Sequence, residues 1–207
     1  MDKYVITISR AFGSGGRTVG KMLSEKLGIP YYDKDLIKLA SEESGINEGL
    51  FGLSDERTKT GFFSKGKVYD GKLAAPDSPD FTSEDNLFGY QAKIIRDLAD
   101  KKSPCIIIGR CADFVLSDRE KILRLFIWAD KETCIKNTMD VCGYDRKEAE
   151  KQVTKINRER SAYYKKHTGS EWTDVRNYDL CIDTAKLSFE KCMELIESYL
   201  NVIGYRE

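Results

Sequence analysis

Residues 6–23 read ITISRAFGSGGRTVGKML, an apolar run that breaks into glycines and resumes at helical spacing. Tyr4 to Ser9 alternate and are rich in β-branched side chains, so this piece reads as a strand. Val19, Met22, Leu23 and Leu27 then recur as on an amphipathic helix. Between the two lie Gly13, Gly15 and Gly16, followed at once by Arg17 and Thr18. A strand, glycines and a helix in that order bring free backbone N–H groups and the positive end of a helix dipole to one point, which suits an anion. Glycine lets the backbone take positive φ and approach that anion closely.

Two motifs use this arrangement. In the phosphate-binding P-loop, G-x-x-x-x-G-K-[ST], Gly16-Arg17-Thr18 would stand for the last three positions. Ala11 then falls where the first glycine belongs, and Arg17 replaces the lysine with a planar fork. In the dinucleotide fingerprint G-x-G-x-x-G, Gly13 and Gly15 fit and Thr18 takes the third glycine's place. Asp33, 20 residues after Gly13, would sit where a ribose-binding acid belongs. Local sequence leaves both readings open: a nucleotide-binding P-loop or a Rossmann-type oxidoreductase.

Working outward, Gly28 and Pro30 end the first helix. Residues 30–33, 104–109, 122–128 and 179–183 read as four further strands after the one at 4–9. The run PCIIIGR is continuously apolar and suits a strand buried on both faces. Helical patterns lie between the strands. Asp145 and Glu148 suggest the cap of a long helix ending near Tyr164, and Phe189 to Ile203 make a final amphipathic one. Strands alternating with helices imply an α/β protein with a mostly parallel five-stranded sheet, its ligand crevice along the strands' C-terminal edge. Residues 46–82 keep no period and read as an irregular insertion.

The totals agree. A chain of 207 residues fits a single domain, 1–207, carrying an insertion. With 34 basic against 34 acidic residues, it is not a generic nucleic-acid or membrane-surface binder. Six cysteines without a C-x-x-C pair suit reduced thiols in a cytoplasm. No stretch approaches the length of a membrane span or a signal peptide. His167, the one histidine, reads as part of a surface turn in KKHTG. Lys151, Lys155 and Arg158 read as a solvated helix face, Tyr163 and Tyr164 as packing residues, and Trp172 as an anchor for the loop before the last strand.

Three blocks together resemble the cytidylate kinase-like family: ITISRAFGSGGRTVGKMLSEKLGIPYYDKDLI (6–37), DNLFGYQAKIIRDLADKKSPCIIIGRCADFVL (85–116) and RERSAYYKKHTGSEWTDVRNYDLCIDT (158–184). The resemblance implies a three-layer P-loop kinase fold, ATP and Mg²⁺ as cofactors, and phosphoryl transfer to a nucleoside monophosphate or related small phosphorylated acceptor. It favours the P-loop reading. Gly13, Ser14, Gly15, Gly16, Arg17 and Thr18 would wrap the ATP phosphates, with a hydroxyl of Thr18 or Ser14 toward the metal. Asp33, Arg110, Asn157 and Arg160 would face the acceptor, and Arg17, Arg110 and Arg160 would carry catalysis. Residues 46–82 would bind the acceptor and residues 140–148 would form a short lid.

The chain departs from the P-loop motif and from cytidylate kinases proper at three places. Arg17 stands for the P-loop lysine, a replacement that the cytidylate kinase-like pattern shares, and Ala11 for the first glycine. Ile108 takes the position of an acid before the Gly109-Arg110 pair, so Asp33 or Asp113 would have to supply the metal's carboxylate. Asn157 replaces the acid that reads the acceptor base, and Lys136, Asn137 and Thr138 stand where lid arginines would be expected. A nucleotide-binding protein with lost or altered kinase activity is therefore the second expectation.

Overall fold

The structure, a computed structural model, describes residues 3–54, 68–101 and 103–206. Five strands form one parallel sheet: β1 (Val5–Arg10), β2 (Tyr31–Tyr32), β3 (Cys105–Ile108), β4 (Ile122–Trp128) and β5 (Leu180–Asp183), in the order β2-β3-β1-β4-β5. The five expected strands are found within a residue or so of their expected bounds. β1 is central, hydrogen-bonded to β3 on one side and β4 on the other, and every residue of it is buried.

The two-residue period of a strand divides the core in two. Ile6, Ile8, Ile106, Ile108, Leu125 and Ile127 face helices α1 (Gly16–Leu27) and α8 (Phe189–Val202). Val5, Cys105, Ile107 and Phe126 face the other way, toward α2 (Asp35–Ser44), α4 (Glu84–Asp100) and the short α5 (Ala112–Val115). Fully buried side chains such as Ile6 and Ile8 each stabilise the fold by about 1.5–3 kcal/mol. By the same parity Arg10 falls on the α1 face and Ser9 on the other. That placement matters at the site.

Two further helices, α6 (Lys131–Cys142) and α7 (Arg146–Thr168), make a hairpin joined by three residues. Asp130 and Asp145 cap them, the latter accepting from the Glu148 amide at 2.8 Å. The hairpin has its own small core of Cys134, Ile135, Ala149 and Val153, against which Ala11 and Phe12 pack. The segment expected as an insertion begins with α3 (Glu48–Ser54); its residues 55–67 lie outside those described.

One expectation is overturned here. KKHT is not a surface turn, because α7 runs one turn past Tyr164 and ends at Gly169. His167 is buried and stacked on Phe88, ring centroids 4.0 Å apart, with Tyr163 edge-on at 4.5 Å. One flat face is covered by Phe88 of α4, a contact that no local pattern could announce, and Tyr163 lies one turn back on α7 itself. Burial holds its imidazole down, to a pKa of about 4. Tyr163, Tyr164 and Trp172 are core residues, Trp172 packing edge-on to Phe126. Lys151, Lys155 and Arg158 are exposed.

Candidate active site

The loop after β1 is built by packing as much as by conformation. Gly13 and Gly15 have φ of 81° and 77°, where a side chain is strained. A Cβ on Gly13 would also strike the carbonyl of Cys134 on α6, and one on Gly15 would lie 2.5 Å from the Phe189 ring. Ser14 is fully buried, its hydroxyl placed between the carbonyls of Ala11 at 2.9 Å and Ile127 at 3.0 Å. It is turned away from the cleft and ties the loop to β4. The expectation that Ser14 offers a hydroxyl to a metal is therefore corrected.

Helix α1 starts at Gly16, capped by Gly15 with no side-chain cap. The first intrahelical bond is Val19 N–H to the Gly15 carbonyl at 3.0 Å. Within the described residues, the amides of Gly15, Gly16, Arg17 and Thr18 meet no protein acceptor, as the first turn of a helix requires. They open into a cleft of about 340 Å³, walled by Phe12, Asn137, Val141 and Phe189, with exposed Thr18 at its floor. The nest is neither plugged by side chains nor satisfied internally.

The α6–α7 hairpin grips this loop through its backbone. The Phe12 amide donates to Asn157 Oδ1 at 2.7 Å. Asn137 Nδ2 donates to the Gly13 carbonyl at 2.8 Å, and Arg160 Nη1 to the Arg10 carbonyl at 2.9 Å. The Asn157 oxygen is thus engaged by the loop. Arg160 spends one nitrogen in the same way.

On the other side of the loop, Asp33 sits between two arginines. Arg17 reaches it with Nε–Oδ2 at 2.8 Å and Nη2–Oδ1 at 3.2 Å, and Arg110 Nη1 lies 3.6 Å from Oδ1. Arg110 is aimed there by its backbone. Gly109, Arg110 and Cys111 run consecutively through positive φ (67°, 52° and 54°), which folds the chain sharply after β3. For the two non-glycine residues this stores about 1–2 kcal/mol each. Such strain gathers at functional sites. Arg110, Arg160, Tyr163 and Trp172 line a second, narrow cavity of only about 20 Å³.

For ATP the residues fit: free amides, a roomy cleft and cations beside it. For Mg²⁺ the fit is narrower. The exposed Thr18 hydroxyl is placed to serve as a ligand. Asp33 is held by its arginines. Asp113 is fully buried, accepting from Tyr164 Oη at 2.5 Å and from Ser9 Oγ at 3.4 Å. Burial pushes its carboxyl up to about 6. Ile108 is buried in the α1-side core. Neither Asp33 nor Asp113 is thus a ready carboxylate, so metal binding here would lean on Thr18 and on the phosphates themselves.

The profile of the cytidylate kinase-like family matches residues 5–186, from the first strand to just past the last. The chain belongs to that family. Among curated proteins it is similar to the cytidylate kinase of Methanopyrus kandleri, 26% identical over 212 residues, covering 98% of this chain and 96% of the relative. Among solved structures, an uncharacterized protein from Eubacterium ventriosum aligns with TM-score 0.70 at 28% identity, over 96% of this chain and 98% of that one. The shikimate kinase of Bacteroides thetaiotaomicron shares the fold, with TM-score 0.55 at 14% identity and coverage of 96% and 98%. The family's P-loop kinase architecture and this five-stranded sheet agree.

Within this member of the family, Arg17, Asp33 and Arg110 gather together beside the loop, Asn157 holds its Phe12 amide, and Arg160 lines both cavities. Sequence reasoning missed Arg10, whose one signal was a charged residue ending an otherwise apolar strand. It also missed Phe189, which lies nearly at the other end of the chain.

Proposed function

We propose that this chain transfers the γ-phosphoryl group of ATP to a nucleoside monophosphate, cytidylate first among the candidates, or to a similarly small phosphorylated acceptor. The observation that carries this is the open row of amides at the start of α1, facing a cleft bordered by arginines at the C-terminal edge of the sheet. Cytidylate comes first because a relative spanning the whole chain is named a cytidylate kinase.

Phosphoryl transfer asks little covalent chemistry of a protein. It asks that two substrates be held in line and that charge on the transferring oxygens be neutralised. The loop from Gly13 to Thr18 cradles the donor's phosphates through the open amides of Gly15 to Thr18, and Thr18 Oγ1 would hold the Mg²⁺, which would supply positive charge to those phosphates when bound. Arg110 and Arg17 exchange Asp33 for the acceptor phosphate, which their forks match bidentately. Arg160, already braced against the loop, faces the transferring group. The hairpin tip at 140–148 and the segment at 46–82 act as lid and acceptor clamp, excluding water that would otherwise take the phosphoryl group. The setting proposed is the cytoplasm; no described helix is long and apolar enough to cross a membrane.

ADP release measured across CMP, dCMP, UMP, AMP and GMP, with an ATP-only control, tests this. Acceptor-dependent release with one pyrimidine monophosphate leading is expected. Flat rates across all acceptors would overturn the kinase assignment. A second reading is favoured by Ile108 in the acid's place and by the narrow acceptor cavity: a nucleotide-binding protein without turnover. It would bind ATP in calorimetry and yet release no acceptor-dependent ADP.

A further inference from the structure

The P-loop motif places a lysine in the first turn of its helix, and this chain has no lysine there. Arg17, the residue that takes the lysine's place by sequence, is turned toward Asp33 and is 45% exposed. Gly16, one position earlier, can hold no side chain: its Cβ would fall 2.6 Å from the Cβ of Arg10 and 3.1 Å from that of Ile127. The space in front of the first helical turn is filled by a side chain from the preceding strand. Arg10 ends β1, the central strand, and strand parity sends it to the α1 face. It is only 4% exposed, yet it lines both the large cleft below the amides and the narrow cavity beside Arg110. Among the residues lining those two cavities, Arg10 and Arg160 alone belong to both.

We propose that Arg10 supplies the positive charge the missing lysine would have given, reaching the β- and γ-phosphate oxygens of the donor nucleotide from the strand side of the loop. The inference rests on the kinase reading above and adds a catalytic residue to it. Position supports it: the group to be transferred must lie where donor and acceptor cavities meet, and Arg10 borders that point. Chemistry supports it too. A guanidinium stays protonated when buried, whereas a buried ammonium loses its proton readily. A fixed cation shielded from water acts on developing charge far more strongly than one in solvent. Gly16 leaves room for Arg10, because a Cβ there would fall 2.6 Å from the Cβ of Arg10.

The test compares wild type with Arg10→Met and Arg10→Lys. ATP and AMP affinities are read by calorimetry, and kcat and KM from ADP release with the best acceptor. Arg10→Met is expected to lower kcat by about 10²-fold or more, and to weaken ATP while leaving AMP within about twofold, since AMP lacks the outer phosphates. Arg10→Lys should fall between. Should Arg10→Met melt poorly, Arg10→Gly assayed with millimolar guanidinium supplies a second readout, and recovery of rate is expected. Unchanged kcat in a folded Arg10→Met, equal loss of ATP and AMP affinity, or no recovery with guanidinium would each overturn the role of Arg10 while leaving the kinase reading intact. A wild type that binds ATP no better than AMP and transfers nothing overturns both.

Discussion

Asn157 Oδ1 accepts the Phe12 amide at 2.7 Å, joining residues 145 positions apart in the chain. With the Asn137 and Arg160 bonds, it makes the hairpin a brace for the glycine loop. Asn157→Ala leaves a part-buried N–H without its acceptor, a loss of about 1–3 kcal/mol. The expected result is weaker ATP binding with the ranking of acceptor monophosphates unchanged. Calorimetry for ATP and an acceptor panel for the variant check this. A changed ranking at unchanged ATP affinity would restore Asn157 as a base reader.

Asp33 lies between two arginines, Arg17 and Arg110, which the proposed function turns to the acceptor. Asp33→Asn removes the negative charge beside Arg17 and Arg110, so inorganic sulfate should inhibit the variant at lower concentration than wild type. Turnover should fall, because the carboxylate no longer orients the pair. Inhibition curves against sulfate at fixed ATP measure this, and a variant no more sulfate-sensitive than wild type would contradict the assignment. Arg110→Ala should raise the acceptor KM more than the ATP KM.

The glycines are separable by their surroundings. Gly16→Ala forces its Cβ against the Cβ atoms of Arg10 and Ile127, both anchored to strands. A cost of about 1–3 kcal/mol is expected from such overpacking. Gly28→Ala meets nothing within 4 Å and carries only the strain of φ 63°, about 1 kcal/mol. Thermal melts should therefore order the two, Gly16→Ala the lower. Equal midpoints would mean that the loop yields and that its packing is looser than described.

Two buried titrating groups oppose each other in mild acid. His167 titrates near 4 in the folded state against 6.5 when free. The unfolded chain therefore takes up this proton first as pH falls below about 6.5, and stability is lost down to about 4. Asp113 titrates near 6 against 3.8. It favours the folded state at low pH, a contribution lost as pH rises through 6. Each term is on the order of a few kcal/mol, and they largely cancel between pH 4 and 6. Urea midpoints at pH 4.5 and 6.5 should show Asp113→Asn losing more stability on acidification than wild type, and His167→Gln losing less. Identical slopes in all three proteins would show that neither group is coupled to folding.

Strands, helices and the glycine loop between β1 and α1 were legible along the chain because each rests on a short-range rule. A period of two or of 3.6 residues reports which face is buried. Glycines after a strand report where positive φ is allowed. The sheet order and the pairings across it were not legible in this way. That Ser14 is sealed under β4, that Asn157 holds the Phe12 amide and that His167 lies flat on Phe88 are all contacts between elements far apart in sequence. Each depends on which neighbour the sheet order places alongside. Arg10 is the sharpest case: one more residue on an apolar strand when read in line, it becomes a cation between two cavities once parity aims it at α1 and Gly16 leaves it room. Local chemistry writes the elements, and only their packing decides which charges are shared and which face the substrate.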